Sequence, residues 1–439
     1  MTTEEFIQLH HTDDVRDLAL RTPPQGVDLH ESLVQISGWQ KSRTKLPLWA
    51  ETQGILFPQH LSMEQCSSQL TAEYKLSIVR HLCMHGGKMA DLTAGFGVDA
   101  TILGRHFSHV TLVEQNPELC RILSHNLPLL GINDFTVYIA DTTQLIPASN
   151  VAPASSEDSS ATVPFASSDG SHSFDFIFLD PARRDVNGRK TVLISDCTPD
   201  VCTLQEQLFL MSPFIMVKLS PMLDLTSVRR SLSNLTELHI VSVNNECKEI
   251  LAVMQTKAQT SSEPQEKSSV PTVYCVNITP RSTDIFVESA SPSVSSEPDV
   301  SGISCMTEEH SMMLHGESVS PVYLYEPNSS IMKAGIHDAL IQTFQIEKVH
   351  PNSHLYLSRQ FIGNFPGRKF KVLETIQLNK SGIRRLKQLH QANITVRNYP
   401  MSADQLRRRL QLRDGGPVYL FATTAFQDRH VVYMCEKCD

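Results

Sequence analysis

Three carboxylates and two glycines stand where a chain can grip a nucleotide-like cofactor: Asp91, Glu114 and Asp141, with Gly95 and Gly97. The run Met89-Ala-Asp-Leu-Thr-Ala-Gly-Phe-Gly-Val-Asp99 sets Asp91 four residues before Gly95 and six before Gly97, with Thr93 between them. Glycines at the carboxyl end of a strand let the backbone pass close beneath a ligand and start the next helix. A carboxylate at the tip of the following apolar run, Glu114, can accept hydrogen bonds from two ribose hydroxyls at once, and Asp141 can accept from the exocyclic amine of adenine. A further run, Phe174-Asp-Phe-Ile-Phe-Leu179, delivers Asp180-Pro181. An oxygen there that accepts from an amine N–H draws a delocalised nitrogen toward a shape able to attack, with position and desolvation supplying most of the effect.

These groups must be placed by strand ends. Val110-Thr-Leu-Val-Glu114 reads as the strand after the glycines, Phe135 to Ala140 as the next, and Phe174 to Leu179 as the fourth, with a helix beginning at Val98. That order predicts a doubly wound sheet whose ligand lies outside the carboxyl ends of the strands. Gly95-Phe-Gly97-Val-Asp-Ala100 also fits the G-x-G-x-x-A form of a dinucleotide site, with Glu114 at about the distance of its ribose acid. Asp91 weighs toward a methyl donor over a nicotinamide dinucleotide, because the residues before the first glycine of a nicotinamide site are normally apolar. Asp180-Pro181 weighs the same way, since hydride transfer has no evident use for that pair.

The segments Asp91-Leu-Thr-Ala-Gly-Phe-Gly-Val-Asp99, Leu179-Asp-Pro-Ala-Arg-Arg184 and Val217-Lys-Leu-Ser-Pro-Met222 resemble a family of bacterial class I methyltransferases with a THUMP-like C-terminal domain, of the Bacteroidetes type. Glu64-Gln-Cys-Ser-Ser68, Tyr74-Lys75, Asn245-Glu-Cys-Lys-Glu249 and Tyr325 to Gly335 extend the resemblance over most of the chain. It implies an α/β fold: a Rossmann-like methyltransferase sheet, an N-terminal helical region and a C-terminal α+β THUMP-like domain. It implies S-adenosylmethionine as cofactor, held by Asp91, Thr93, Gly95, Gly97, Glu114 and Asp141, with Asp180, Pro181 and Arg183 at the reaction centre. The D-x-T-A-G-x-G form is also similar to that of ribosomal RNA guanine-amino methyltransferases.

Many amine methyltransferases carry a second proline and an aromatic after this aspartate; here Ala182-Arg183 follow Pro181. Arg183 and Arg184 can clamp a phosphate or stack on a base, or pair with surface carboxylates instead. Ring-carbon methyltransferases of uridine use a related motif with a cysteine nucleophile, and no cysteine here stands in an evident position for that role. Lys218 interrupts the apolar run Phe214-Ile-Met-Val217, and Asn245 follows the strand His239 to Val243. Both are candidates to meet substrate, with a structural salt bridge or hydrogen bond as the alternative. Lys41, Arg43, Lys45 and Trp49 are further candidates in the N-terminal region.

The charge is divided unevenly. Residues 321–439 hold 17 Lys and Arg against 9 Asp and Glu, a formal +8, while the first 320 residues hold 21 against 38, or −17. A basic segment beside an acidic one argues for a polyanionic partner, and RNA, ribosomal or transfer, is the natural candidate. In the helix beginning after the capping box Ser402-Ala-Asp-Gln405, Leu406 and Leu410 share a buried face and leave Arg407, Arg408 and Arg409 around the rest. Arg384 and Arg407 are the leading candidates to touch RNA, with a solvated face as the alternative.

The 439 residues divide into a mainly helical region at 1–75, a methyltransferase domain at 76–287 with a Ser/Ala/Pro-rich insertion at about 147–173, a linker at 288–320, and a basic α+β domain at 321–439. The longest apolar stretch, Leu208 to Leu219, is far short of the roughly 20 residues that span a membrane. Ten cysteines scattered through apparent helices and strands fit a reducing cytoplasm. Cys435-Glu-Lys-Cys438 lacks two further ligands in metal spacing, and no metal is expected. A small-molecule methyltransferase and a non-catalytic RNA-binding protein that retains a donor pocket are the alternative functions.

Overall fold

The computed structural model describes residues 1–146, 172–182, 193–256, 270–288 and 321–438. Most of the expected insertion and linker lies outside the described residues, as do Arg183 and Arg184. The chain forms two compact units, Met1–Val241 with Lys248–Pro271, and Ser242–Cys247 with Thr272–Asp439.

The first unit opens with six helices: α1 (Thr3–His10), α2 (Val15–Ala19), α3 (Leu29–Lys45), α4 (Pro47–Glu51), α5 (His60–Gln65) and α6 (Gln69–Leu82). Local chemistry sets their starts. Thr2 and Glu5 form a capping box on α1, the Asp28 carboxylate accepts from the Glu31 N–H at 3.0 Å, and Ser68 Oγ accepts from the Thr71 N–H at 3.2 Å. Trp49 is fully buried and belongs to the core, which corrects its reading as a substrate contact.

The strands of this unit are β1 (Lys88–Asp91), β2 (His109–Glu114), β3 (Phe135–Ile139), β4 (Phe176–Leu179), β5 (Phe214–Leu219), β6 (Leu235–Val243) and β7 (Glu246–Gln255), in the spatial order β3-β2-β1-β4-β5-β7-β6. β1 to β5 run parallel, and β7 pairs antiparallel with β5. The order reverses between β1 and β4, and this is the switch point at which such sheets bind ligands. β4 is buried at every position, as a central parallel strand covered on both faces must be. The connecting helices are α7 (Val98–Gly104), α8 (Pro117–Leu129), α9 (Thr142–Leu145), α10 (Val201–Met211) and α11 (Leu225–Ser231). This is the expected Rossmann-like methyltransferase sheet. β6 and β7 are longer than their apolar cores suggest, because pairing carries both strands past the buried residues.

The second unit contains an antiparallel pair, β8 (Thr272–Ile278) and β9 (Thr283–Glu288). Its seven-stranded sheet comprises β10 (Val322–Pro327), β11 (Glu347–Lys348), β12 (Tyr356–Ser358), β13 (Gly367–Ile376), β14 (Asn393–Arg397), β15 (Val418–Ala425) and β16 (Arg429–Lys437), ordered β11-β12-β10-β13-β16-β15-β14. Helices Lys380–Lys387 and Ala403–Leu410 bury Leu386, Leu406 and Leu410 in one core with Leu420 and Val432. Ser402 and Gln405 form the expected capping box, and Gln411 ends that helix in the left-handed conformation. Glu326, buried in β10, pairs with Arg397 at 2.9 Å and with Arg368.

Candidate active site

The chain leaving β1 is clamped between its two neighbours. The Leu92 N–H donates to Phe178 O at 3.1 Å and the Ala94 N–H to Val113 O at 2.9 Å, so backbone pairing continues past the last strand residue. Gly95 and Gly97 then take φ of +55° and +80°. At Gly97 a β-carbon would come 2.1 Å from Leu123 Cδ2 of α8, so only glycine turns the chain here and starts α7 at this packing distance.

The carboxylates are fixed by backbone donors. Glu114 Oε2 accepts from the Gly95 N–H at 2.9 Å and Oε1 from the Asn116 N–H at 2.8 Å, and each oxygen retains a second lone pair. Asp141 caps α9, its Oδ1 accepting from the Thr143 N–H at 2.8 Å and hydroxyl at 2.7 Å. Thr93 Oγ1 accepts from the Asp180 N–H at 2.6 Å and so joins the loop after β1 to the end of β4. Thr142 Oγ1 donates to Leu92 O, drawing the start of α9 against the same loop.

Asp91 is 1% exposed and accepts from the Thr93 N–H at 3.0 Å. Burial pushes its carboxyl up to about 8; the Thr93 N–H offsets part of this, while the Asp99, Asp180 and Glu114 carboxylates add to it. Lys218, near the end of β5, donates to Asp180 Oδ2. Burial works against its charge, but Asp180, Asp99 and Glu249 outweigh burial and hold the ammonium above its ordinary range. Lys218 is therefore a fixed cation rather than a base.

Behind this pair lies a second buried cation. Lys75 Nζ of α6 is 3.0 Å from Asp99 Oδ1 of α7, 2.9 Å from Glu249 Oε1 of β7 and 3.1 Å from Ser67 Oγ, which in turn donates to Asp99 Oδ2 at 2.6 Å. Burial alone would raise the Asp99 carboxyl; Lys75, Lys218 and the Ser67 hydroxyl outweigh it and hold it below the usual carboxylate range. Sequence reasoning gave Lys75, Asp99 and Glu249 no role. The available signal was a charge inside an apolar pattern, Lys75 beside Leu76, Ile78 and Val79, and Glu249 before Ile-Leu-Ala-Val-Met.

A cleft of about 950 Å³ opens at the carboxyl ends of these strands. Asp91, Thr93, Gly95, Gly97, Glu114, Asp141, Asp180, Pro181 and Lys218 all line it, so the structure gathers nine of the sequence-predicted residues. Asn245, Arg384 and Arg407 do not line it. Asn245 Oδ1 instead accepts from the Ser329 N–H at 2.7 Å, capping helix Ser329–Ala334 of the second unit. Arg407 is held by Asp404 and Asp414, each at 2.7 Å, while Arg384 is exposed on its helix. Lys45 donates to the carbonyls of Met63 and Glu64, both at 2.8 Å.

Cys66 also lines the cleft, but burial pushes its thiol up and its Sγ donates to Met63 O at 3.3 Å, so it stays protonated at neutral pH. Among the described residues no group of three or more His, Cys, Asp or Glu is arranged to hold a metal ion, and no helix is long and apolar enough to cross a membrane.

Residues 323–366 match a family described as a ferredoxin-like domain, and residues 367–437 match one described as THUMP domain-like. Among solved structures, a candidate methyltransferase from Porphyromonas gingivalis W83 is similar at 28% identity and a TM-score of 0.76, covering 99% of this chain and 97% of its own. A candidate RNA methyltransferase from Pyrococcus horikoshii matches at 16% identity and a TM-score of 0.32, covering 51% of this chain and 98% of its own. A comparison with curated proteins finds no match.

Proposed function

We propose that this chain, a member of the bacterial class I methyltransferases with a THUMP-like C-terminal domain, transfers a methyl group from S-adenosylmethionine to an exocyclic base amine in structured RNA, ribosomal or transfer. The observation that carries the reading is the single cleft in which the ends of β1, β2 and β4 bring Asp91, Glu114 and Asp180 together with Gly95 and Gly97.

The residues fit the donor. Asp91 is buried among carboxylates, and a cationic ligand group beside it relieves the cost that pushes its carboxyl up. Asp91 would face the ammonium end, Glu114 the ribose hydroxyls and Asp141 the adenine amine, with Gly95 and Gly97 leaving room for the backbone to approach. When bound, the donor supplies an electrophilic methyl on a sulfonium.

Asp180 accepts an N–H of the acceptor amine, and Lys218 holds its Oδ2, which leaves Oδ1 for the substrate. Thr93 fixes the Asp180 backbone relative to the donor loop. Pro181 forms part of the adjoining wall, and the basic pair Arg183-Arg184, next in sequence, is assigned to the phosphates of the substrate on its chemistry. The excess of basic residues in 321–439, with Arg384 exposed among them, supports docking of the polyanion by that segment.

The test is transfer of labelled methyl from S-adenosylmethionine to total RNA from a strain lacking the gene, with wild type beside Asp180→Ala. Label in RNA with wild type alone supports the reading. Absence of label under conditions where the donor demonstrably binds overturns it.

A further inference from the structure

Resting on that reading, we infer that Met222 and Leu61 form the acceptor subsite of the cleft and take the flat face of an unstacked nucleobase. Asp180-Pro181 is followed by Ala182, so the chain supplies no aromatic side chain directly after the reactive carboxylate. Ala182 exchanges backbone hydrogen bonds with Thr198, at 2.7 and 3.0 Å, and its methyl offers no ring to stack on. Among the described residues the aromatic rings that line the cleft are Phe96 and Phe178, and both are buried.

Apolar surface is supplied from two other elements. Met222 is 83% exposed and Leu61 is 55% exposed, and both line the cleft. Met222 sits in a built turn after β5: its N–H donates to Ser220 Oγ at 3.2 Å and the Leu223 N–H donates to Ser220 O at 3.2 Å, while Leu223 is buried. The anchor of the turn is thus Leu223, and the Met222 side chain next to it is left largely exposed. Four residues earlier in the chain is Lys218, whose ammonium holds Asp180.

The chemistry selects the occupant. A thioether and an isobutyl group at a cleft mouth favour a flat, uncharged ring, and sulfur packs well against aromatic faces. Asp180 demands an N–H donor at the ring edge. A base inside a helix has its amine paired and its faces stacked; the acceptor is therefore a base in a loop or one swung out of its helix.

The experiment titrates full-length protein, with S-adenosylhomocysteine present, into a single-stranded RNA oligonucleotide carrying 2-aminopurine, reading fluorescence. Met222→Ala and Leu61→Ala weaken binding by about fivefold or more, the loss expected when a side chain packed on a base is truncated. Met222→Phe restores it, and the same oligonucleotide as a duplex binds more weakly than the single strand. S-adenosylhomocysteine affinity and melting temperature stay at wild-type values in Met222→Ala, because that side chain is exposed. Wild-type affinity in both alanine variants, or equal binding of duplex and single strand, overturns the inference. Methyl transfer by wild type is measured on the same preparations, so loss of the RNA-methylation reading registers separately from loss of the subsite.

Discussion

Lys75 Nζ, fully buried, lies 3.0 Å from Asp99 Oδ1, which ties the last N-terminal helix to the helix that starts at Gly97. Glu249 at 2.9 Å extends the tie to β7. Removing one partner of a buried ion cluster leaves the others uncompensated, whereas replacing all of them by packed neutral groups is far less costly. Lys75→Met therefore destabilises the protein by about 3–5 kcal/mol in urea unfolding. Adding Asp99→Asn and Glu249→Gln to Lys75→Met recovers part of that loss, the remainder reflecting the two carboxylates that Lys218 then lacks. A single-variant cost below about 1 kcal/mol, the level of an exposed ion pair, would refute the assignment.

Gly97 makes a second sharp prediction. Its φ of +80° and the 2.1 Å approach of a β-carbon to Leu123 Cδ2 act together, one on the backbone and one on the packing of α7 against α8. Gly97→Ala costs about 2–4 kcal/mol, the sum of left-handed strain and overpacking, and weakens S-adenosylhomocysteine binding in calorimetry. Leu123→Ala in the same chain relieves the packing part only. Full recovery of stability in the double variant would show that backbone strain contributes nothing.

The strand ends were readable in the sequence because a central parallel strand is apolar throughout and its first polar residue falls at the tip. Asp91, Glu114 and Asp180 each break such a run, and all three line the cleft. Lys218 was readable for the same reason, as a charge in an apolar strand, but its partner was not, since pairing across β4 and β5 depends on register. Asn245 stayed open between a substrate contact and a structural hydrogen bond because a polar turn residue looks the same whether it faces a ligand or caps a helix 84 residues away. The partners of Arg407 were legible only in part, because Asp404 lies one turn away on its own helix while Asp414 reaches it from the turn beyond. Met222 and Leu61 carry no pattern at all; an exposed apolar side chain becomes visible only against the cleft it borders.

Asp91 links donor binding to pH. Its folded carboxyl titrates at about 8, above the ordinary value of roughly 3.9 of an unfolded chain, so the folded state keeps a proton that the unfolded state releases between those values. The contribution of this group to stability is full below about pH 4 and is lost as pH rises through 8. Asp91→Asn has no such slope, and its stability relative to wild type improves from pH 6 to pH 8 in melting experiments. Binding of a cationic donor ionises Asp91 and releases a proton near neutrality. The calorimetric enthalpy of S-adenosylmethionine binding then varies with buffer ionisation enthalpy in wild type. Buffer-independent enthalpy in wild type would contradict this.

The second unit carries the opposite pH dependence. His337 stacks on His354 with ring centroids 4.3 Å apart, and its Nδ1 lies 2.9 Å from the Tyr356 hydroxyl. Burial, then the neighbouring His354 and Lys348, lower the His337 imidazole to about 4. Its unfolded value is near 6.5, so the unfolded chain takes up a proton first as pH falls. Stability from this site is full above about 6.5 and is lost as pH falls from there through 4. Because the ring is partly exposed, solvent screening reduces the effect to on the order of 1–2 kcal/mol. His337→Gln removes the titrating ring, so the drop in melting temperature between pH 7 and pH 5 becomes smaller than in wild type. An unchanged drop would place the acid sensitivity elsewhere, with His354 and the buried His239, both also lowered chiefly by burial, as the next residues to substitute.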